Sequence, residues 1–407
     1  MAAYLMCLTS GSGIPVFTRS VGNVKPLPFP VIGSLNAVHM FAANHNAILK
    51  STTTEDTRIV WREFRNSLVL ISVTSQDSTT DDVHAGNLLE NVFNAMVLLY
   101  GLDELTNIKN IERFKKEIKI CYRLIDTLIN PAPLLLFSDV TNAVDVLMPS
   151  DAGLLQSFLD AFADSADSPY GCLVIHGHVV MATKKWWDLT ATELLLMSFL
   201  ISSFSSCSSR DVPIYLPQGS PTVPHRLLTF ELLAHVEVCI ICGPTPSLTA
   251  LEIEIPRFWS PAVESLKSMR QIYPRNFPTS ITVDTNILGF LLVNTSTNRC
   301  LSSVNPRKQK DKSIQIDHRR AILQSFYKHV IGTYFPSSVQ GTEAGPAEFS
   351  HQPTDTYIVC STYKCYAHME GNFQIFILFS TEIPTFAMRF VSQKTLQLFT
   401  KDKNLLL

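Results

Sequence analysis

Residues 226–242, RLLTFELLAHVEVCIIC, read as two strands joined by a tight turn at Ala234-His235. Leu228, Phe230 and Leu232 alternate with Thr229 and Glu231, which makes one face of the first strand apolar. Residues 236–242 are apolar at nearly every position, the pattern of a strand covered on both faces. A helix is expected from Pro261 to about Ile272, with Ser260 as its N-cap. The same unit recurs. Residues 58–75 (RIVWREFRNSLVLISVTS) form a second hairpin pattern ahead of a helical stretch, and residues 364–380 a third, turning at Glu370-Gly371-Asn372. A strand pair feeding a helix, met three times at intervals of about one small domain, predicts a triplicated architecture.

The remaining elements fill each third in the same order. Residues 3–9 and 14–19 make a hairpin closed by Ser10-Gly11-Ser12-Gly13. A helix opening near Pro30 and ending near Ala43 is expected to turn Val31, Leu35, Val38 and Ala42 inward. A short strand at 47–51 precedes the hairpin, and helices at 83–102 and 105–129 follow it. The first carries Leu89, Phe93 and Met96 on one face, the second Ile108, Phe114, Ile118 and Ile125. The second third has a connecting helix from Leu154, strands at 170–176 and 179–183, a helix at 190–203 and a strand at 212–216. The third, after a linker at 274–278, has strands at 288–294 and 300–304, a basic loop (Arg307, Lys308, Lys310, Lys312) and a helix at 316–334. A mobile loop rich in Gly, Ser and Pro at 336–353, a strand at 357–361 and a helix at 386–399 complete it. The expected domains span 1–130, 150–273 and 281–407, the first with an extra C-terminal helix.

A chain of 407 residues, 46% hydrophobic and 17% charged, has ample material for several buried cores. Its formal net charge of -2 creates no field that would favour nucleic acid or an anionic membrane as main partner. The nine cysteines are an odd number scattered through apolar stretches, as reduced core thiols are, which points to a cytosolic compartment. The longest uncharged apolar run, 194–204, is well short of the ~18 residues that a membrane-spanning helix needs. Residues 1–9 lack the basic flank of a signal peptide.

Each motif with catalytic colour has a structural reading that explains it better. Cys239 and Cys242 form a C-x-x-C inside an apolar strand, where alternation points them to opposite faces, and no second pair stands at zinc spacing. His176-Gly177-His178 flanks a turn. Ser10-Gly11-Ser12-Gly13 lacks the phosphate-loop and dinucleotide patterns, and no G-x-S-x-G elbow occurs. No catalytic, cofactor-binding or metal-ligating residue is therefore assigned. The partner-binding candidates are Trp186 and Trp187, of which one is expected in the core and one free as an aromatic anchor, together with His225 and Arg226 at a strand entry. Lys109, Arg113, Lys116 and Arg123 repeat along the outer side of the 105–129 helix and offer a weak membrane-surface contact. Glu112 and Glu117 dilute that charge and favour a solvated face.

Three motifs carry a family resemblance: Val31-Ile32-Gly33-Ser34-Leu35-Asn36 with Val38-His39-Met40-Phe41, Gly101-Leu102-Asp103-Glu104-Leu105-Thr106-Asn107-Ile108, and Gly219 to Thr229 (GSPTVPHRLLT). The element order is similar to that of a longin domain, and nearly the whole chain resembles the tri-longin family of planar cell polarity effectors. The resemblance implies an α/β protein of three longin-like domains, each a five-stranded, mostly antiparallel sheet with helices on both faces. It also implies a non-enzymatic scaffold, without cofactor, that pairs with an Inturned-like longin protein and other subunits of a planar polarity effector complex. Such pairs look like exchange factors for Rab-family small GTPases and serve cilium biogenesis at the basal body, in cytoplasm and cytoskeleton. The alternative is a trafficking adaptor that recruits intraflagellar transport components without exchange activity. Exchange asks only for a surface that binds the nucleotide-free GTPase better than the loaded form, and exposed strand edges are natural places for a partner.

Overall fold

Three sheets carry the strand-period alternation of the chain, and the first two have the same strand order. The computed structural model describes residues 3–22, 27–75, 82–130, 136–150, 152–306, 314–335 and 353–401. The basic loop at 307–312 and residues 336–352 of the expected mobile loop lie outside the described residues.

The first repeat contains β1 (Ala3–Thr9), β2 (Pro15–Val21), α1 (Phe29–Asn44), β3 (Ser51–Thr53), β4 (Thr57–Phe64), β5 (Leu68–Ser75) and α2 (Asp82–Tyr100). Three short helices follow, α3 (Leu102–Thr106), α4 (Ile111–Glu117) and α5 (Tyr122–Ile129). A connecting stretch holds α6 (Ser138–Thr141) and β6 (Val144–Asp145). The second repeat runs through α7 (Ala152–Ser165), β7 (Tyr170–Ile175), β8 (His178–Ala182), α8 (Lys184–Trp187), α9 (Ala191–Ser203), β9 (Ser209–Leu216), β10 (Ser220–Leu233), β11 (Val236–Cys242), α10 (Leu248–Trp259) and α11 (Val263–Arg270). The third has β12 (Ile287–Asn294), β13 (Arg299–Ser303), α12 (Ile316–Thr333), β14 (Asp355–Val359), β15 (Lys364–Glu370), β16 (Phe373–Phe379) and α13 (Ala387–Thr400). The sheets are ordered β2-β1-β5-β4-β3, β8-β7-β11-β10-β9 and β14-β15-β16-β12-β13-β6. The third is the same order in reverse with β6 added at its end.

Two compact units divide the chain. One comprises Met1–Ala132, Phe199–Phe204 and Val212–Leu227; the other comprises Pro133–Ser198, Ser205–Asp211 and Leu228–Leu407. In the second unit Leu228, Phe230, Val236, Val238 and Ile240 share a core with Phe162 of α7, Trp259 of α10 and Leu266 of α11. Phe162 meets Phe230 edge to face at 6.0 Å. The turn of this hairpin places His235 at φ 64, in the left-handed region. The corresponding three-residue turn of the first repeat, between Phe64 and Leu68, puts both Arg65 (φ 53) and Asn66 (φ 51) there.

Five expectations need correction. The helix expected from Pro261 begins instead at Leu248, where the Ser247 hydroxyl accepts the Ala250 N–H at 3.2 Å. It continues through Pro256 because Leu251 and Trp259 pack on the core, and a short 3-10 turn at Ser260–Ala262 leads to α11. The single helix expected at 105–129 is broken. Asn110 accepts the Arg113 N–H at 3.0 Å and caps a new helix, and a 3-10 turn at Ile118–Cys121 separates α4 from α5. The strand expected at 47–51 lies at Ser51–Thr53, since the Ala47 N–H turns back to the Ala42 carbonyl at the end of α1. β14 begins two residues earlier than 357, because its turn is closed by Cys360 N–H donating to the Tyr363 carbonyl at 2.9 Å. Finally, α1 faces the sheet with Ile32, Leu35 and His39, whereas Val31 (40%) and Val38 (52%) are exposed.

Gly101, in the second motif quoted above, has φ +89, and a Cβ there would stand 3.0 Å from the Tyr215 ring. Both conditions exclude a side chain. No described helix is long and apolar enough to cross a membrane.

Candidate functional site

The interaction surfaces of the second unit are set by which sheet edges the chain itself closes. β6 adds to β13 in parallel, with Val144 opposite Arg299 and Asp145 opposite Cys300, and Val146 bridges to Val179 of β8. The Val146 N–H donates to the Cys300 carbonyl at 2.9 Å and the Leu147 N–H to the Val179 carbonyl at 3.0 Å. One extended segment thus covers an edge of the second sheet and an edge of the third. It is held by Asp145, 1% exposed, whose carboxylate accepts the N–H groups of Phe137 and Ser138. A buried carboxylate is tolerated because these donors replace its hydration.

The two tryptophans lie beside this segment. Thr183 caps α8, and Trp186 is buried in the core at 1% exposure. Trp187 is half-buried, packs against the core of the third repeat, and has the Arg299 guanidinium 3.7 Å above its ring. Burial pushes that guanidinium below its ordinary pKa. Close by, the fully buried His178 donates from Nδ1 to the His176 carbonyl at 3.1 Å, and its Nε2 accepts from Asn276 Nδ2 at 3.2 Å. Burial lowers the pKa of His178. His176 stacks between His235 (4.6 Å) and Tyr273 (4.1 Å), and burial, then the charge of His235, push it down to about 4. Burial thus disfavours the charged form of both imidazoles.

His225 and Arg226 sit half-buried in β10 and belong to the first unit, whereas Trp186 and Trp187 belong to the second. Cys239 lies opposite Cys172 in the β7–β11 register and Cys242 in the core beneath α10. Burial raises the Cys239 and Cys300 thiols and takes Cys365 to about 12, which suppresses thiolate chemistry. Among the described residues no group of three His, Cys, Asp or Glu side chains is placed to hold a metal ion.

In the first unit, Tyr100 donates to Glu117 at 2.6 Å and Arg113 pairs with the same carboxylate at 2.7 Å. These two bonds hold the Glu117 carboxyl below its usual range. Of the four residues of the expected basic face, Arg113 is paired in this way, and the neighbouring Lys115 pairs with Glu112 at 2.9 Å. A cleft of about 550 Å³ lies here, between Tyr100, Asp103, Asn107, Lys109 and Arg113. On α1, Phe29 (71%), Val38 (52%) and Phe41 (67%) form an exposed apolar set.

Family models described as the first, second and third "Longin domain of FUZ, MON1 and HPS1" match residues 3–128, 166–260 and 286–403. "Protein fuzzy homolog" of Xenopus tropicalis is 45% identical over 414 residues, covering 98% of this chain and 98% of that protein. The chain belongs to the fuzzy family of three-longin proteins. The relatives of that name from Homo sapiens and Mus musculus are each 39% identical, over 98% of this chain and 97% of theirs.

Within this family frame, the residues that sequence reasoning passed over are Asp145, Asn276 and Arg299. One signal was present: Ala143 to Met148 (AVDVLM) sets a lone carboxylate in an apolar run, and such a group must find donors. Arg299 and Asn276 carry no such signal, because their partners come from elements far away in sequence.

Proposed function

We propose that the chain is a non-enzymatic scaffold subunit of a planar cell polarity effector complex, pairing with an Inturned-like longin protein at the ciliary basal body. The pair acts in cilium biogenesis as an exchange factor for a Rab-family small GTPase. The observation that supports a pairing surface best is the uncovered apolar face of α1, with Phe29, Val38 and Phe41 in solvent on the first longin domain. Family membership supports the same reading, since each repeat matches a longin model. Exchange requires no reactive side chain, only stronger binding to the nucleotide-free GTPase, so the lowered basicity of the buried histidines and the raised thiol pKa values are compatible with it.

Stopped-flow release of labelled GDP from candidate Rab proteins, with and without the Inturned-like partner, tests this. Acceleration by the pair is the expected result. Stable pairing without acceleration refutes exchange and leaves a trafficking adaptor that recruits intraflagellar transport components.

A further inference from the structure

Sheet edges are normally guarded by shortness, proline or charge. β3 has three residues, all polar. β9 carries Arg210, Asp211 and Pro213, and β2 begins at Pro15 and carries Arg19. β8 and β13 are covered by residues 144–147. β14 differs, because its one charge, Asp355, is engaged by Tyr366, His368 and Arg389, Thr356 to Val359 hold neither charge nor proline, and Tyr357 (57%) and Val359 (50%) are exposed.

The register says which backbone groups of β14 are open. Met369 N–H donates to the Thr354 carbonyl and Cys360 N–H to the Tyr363 carbonyl, so the even-numbered residues face β15. The N–H and C=O groups of Asp355, Tyr357 and Val359 therefore point away from the sheet, and none has a backbone partner among the described residues. Their side chains point to the face that α13 covers. Tyr357 stacks on Tyr366 at 6.5 Å, and Asp355 accepts from Tyr366 Oη and His368 Nδ1 at 2.7 Å and pairs with Arg389 of α13 at 3.5 Å. Next to Arg389, which ties α13 to this edge, Phe390 is 68% exposed, and Phe386, just before the helix, is 88% exposed. A groove of about 340 Å³ runs on from Phe390 past Lys394 and Leu398 to Lys401. α13 contains no acidic residue, and Lys394 and Lys401 have no ion-pair partner among the described residues.

We propose that the β14 edge binds an extended, acidic segment of a partner protein by strand addition. The backbone of that segment takes the open groups of Asp355, Tyr357 and Val359. Its aliphatic side chains, at alternate positions, lie over Tyr357, Val359 and Phe390, and its carboxylates meet Lys394 and Lys401. The chain already uses the mode once, where β6 adds to the opposite edge of the same sheet. A membrane surface would suit the aromatic and basic residues of α13 but leave the open backbone groups unused. The inference is independent of exchange activity.

The test is fluorescence anisotropy on the full chain with a fluorescein-labelled peptide alternating valine and glutamate. Tyr357→Pro removes an N–H that faces away from β15, so the unfolding midpoint is retained while the peptide binds about tenfold more weakly or worse, the equivalent of about 1.4 kcal/mol. Phe390→Glu, at an exposed position, weakens binding similarly without touching the strand. Three results overturn the proposal: no binding by the wild-type chain, equal binding by both variants, or equal binding of a peptide with lysine in place of glutamate. Loss of capture by phosphatidylserine-rich vesicles in Phe390→Glu, with peptide binding unchanged, overturns it in favour of a lipid surface.

Discussion

Asp145→Ala tests whether one buried carboxylate holds residues 137–148 against the second and third sheets. Asp145 is 1% exposed. Its oxygens accept the Phe137 N–H at 3.1 and 3.0 Å and the Ser138 N–H at 2.8 Å. Alanine leaves both donors buried without an acceptor, at about 1–3 kcal/mol each, so about 3 kcal/mol or more is lost once some water entry is allowed for. Asparagine is the milder change, because one oxygen, Oδ2, already accepts both N–H groups and an amide oxygen in its place can do the same. The assay is hydrogen exchange of the Val144, Val146 and Leu147 amides, which donate to β13 and β8. At 1.4 kcal/mol per decade, 3 kcal/mol predicts at least about a hundredfold loss of protection in Asp145→Ala and a smaller loss in Asp145→Asn. Unchanged protection of these amides in Asp145→Ala would refute the reasoning and leave the carboxylate a passenger.

Four further outcomes are expected. Phe230→Asp places an unpaired charge at a position 2% exposed and facing Phe162, and should cost roughly several kcal/mol, seen as loss of soluble, cooperatively melting protein. Trp187→Ala removes the surface under the Arg299 guanidinium and some packing on the third core, and should lower stability by about 1–3 kcal/mol in urea titration. The double change Val38→Asp and Phe41→Glu, at exposed positions of α1, should leave the melting temperature intact and abolish co-purification with an Inturned-like partner. The folded pKa of His176 is depressed to about 4, so its contribution is complete above the unfolded value of about 6.5 and is lost as pH falls towards 4. His176→Asn, which tolerates the left-handed backbone at φ 49, should flatten the fall of the unfolding midpoint over that window.

How far the fold was legible depends on whether a pattern has one physical reading. The hairpin at 226–242 was legible because a continuous apolar run in β11 implies burial on both faces, and Val238 and Ile240 are buried accordingly; the alternation in β10 misled in part, since Thr229 is buried along with Leu228 and Phe230. The helix pair after β11 was not, because Pro256 weakens a helical pattern locally while the packing of Leu251 and Trp259 that sustains it is tertiary. The break at Asn107 to Asn110 was hidden for the opposite reason: hydrophobic period continued across it while side-chain capping, visible only as two asparagines, decided the backbone. Of the candidate site residues, the division between Trp186 as core and Trp187 as the half-exposed ring followed from their adjacency. The guanidinium above Trp187 did not, since Arg299 arrives from another repeat.

The misassigned face of α1 carries a physical lesson about what such patterns contain. Val31, Leu35, Val38 and Ala42 repeat at helical spacing, and so do Ile32, Leu35 and His39. A helix that packs on one sheet needs a single apolar stripe, and here the sheet takes the stripe with Ile32 and a histidine. The richer stripe, with Val31, Val38 and Phe41, is left in solvent. At about 25 cal/mol per Å² of apolar surface, the stability of the isolated domain gives no reason to keep the larger hydrophobic face outward. A period that over-predicts burial is thus informative in its own right: it marks where the fold supplies one cover and leaves a second apolar stripe open, as the proposed pairing surface requires. If so, replacing the outward stripe with polar residues will leave the free chain as stable as before and change only its assemblies.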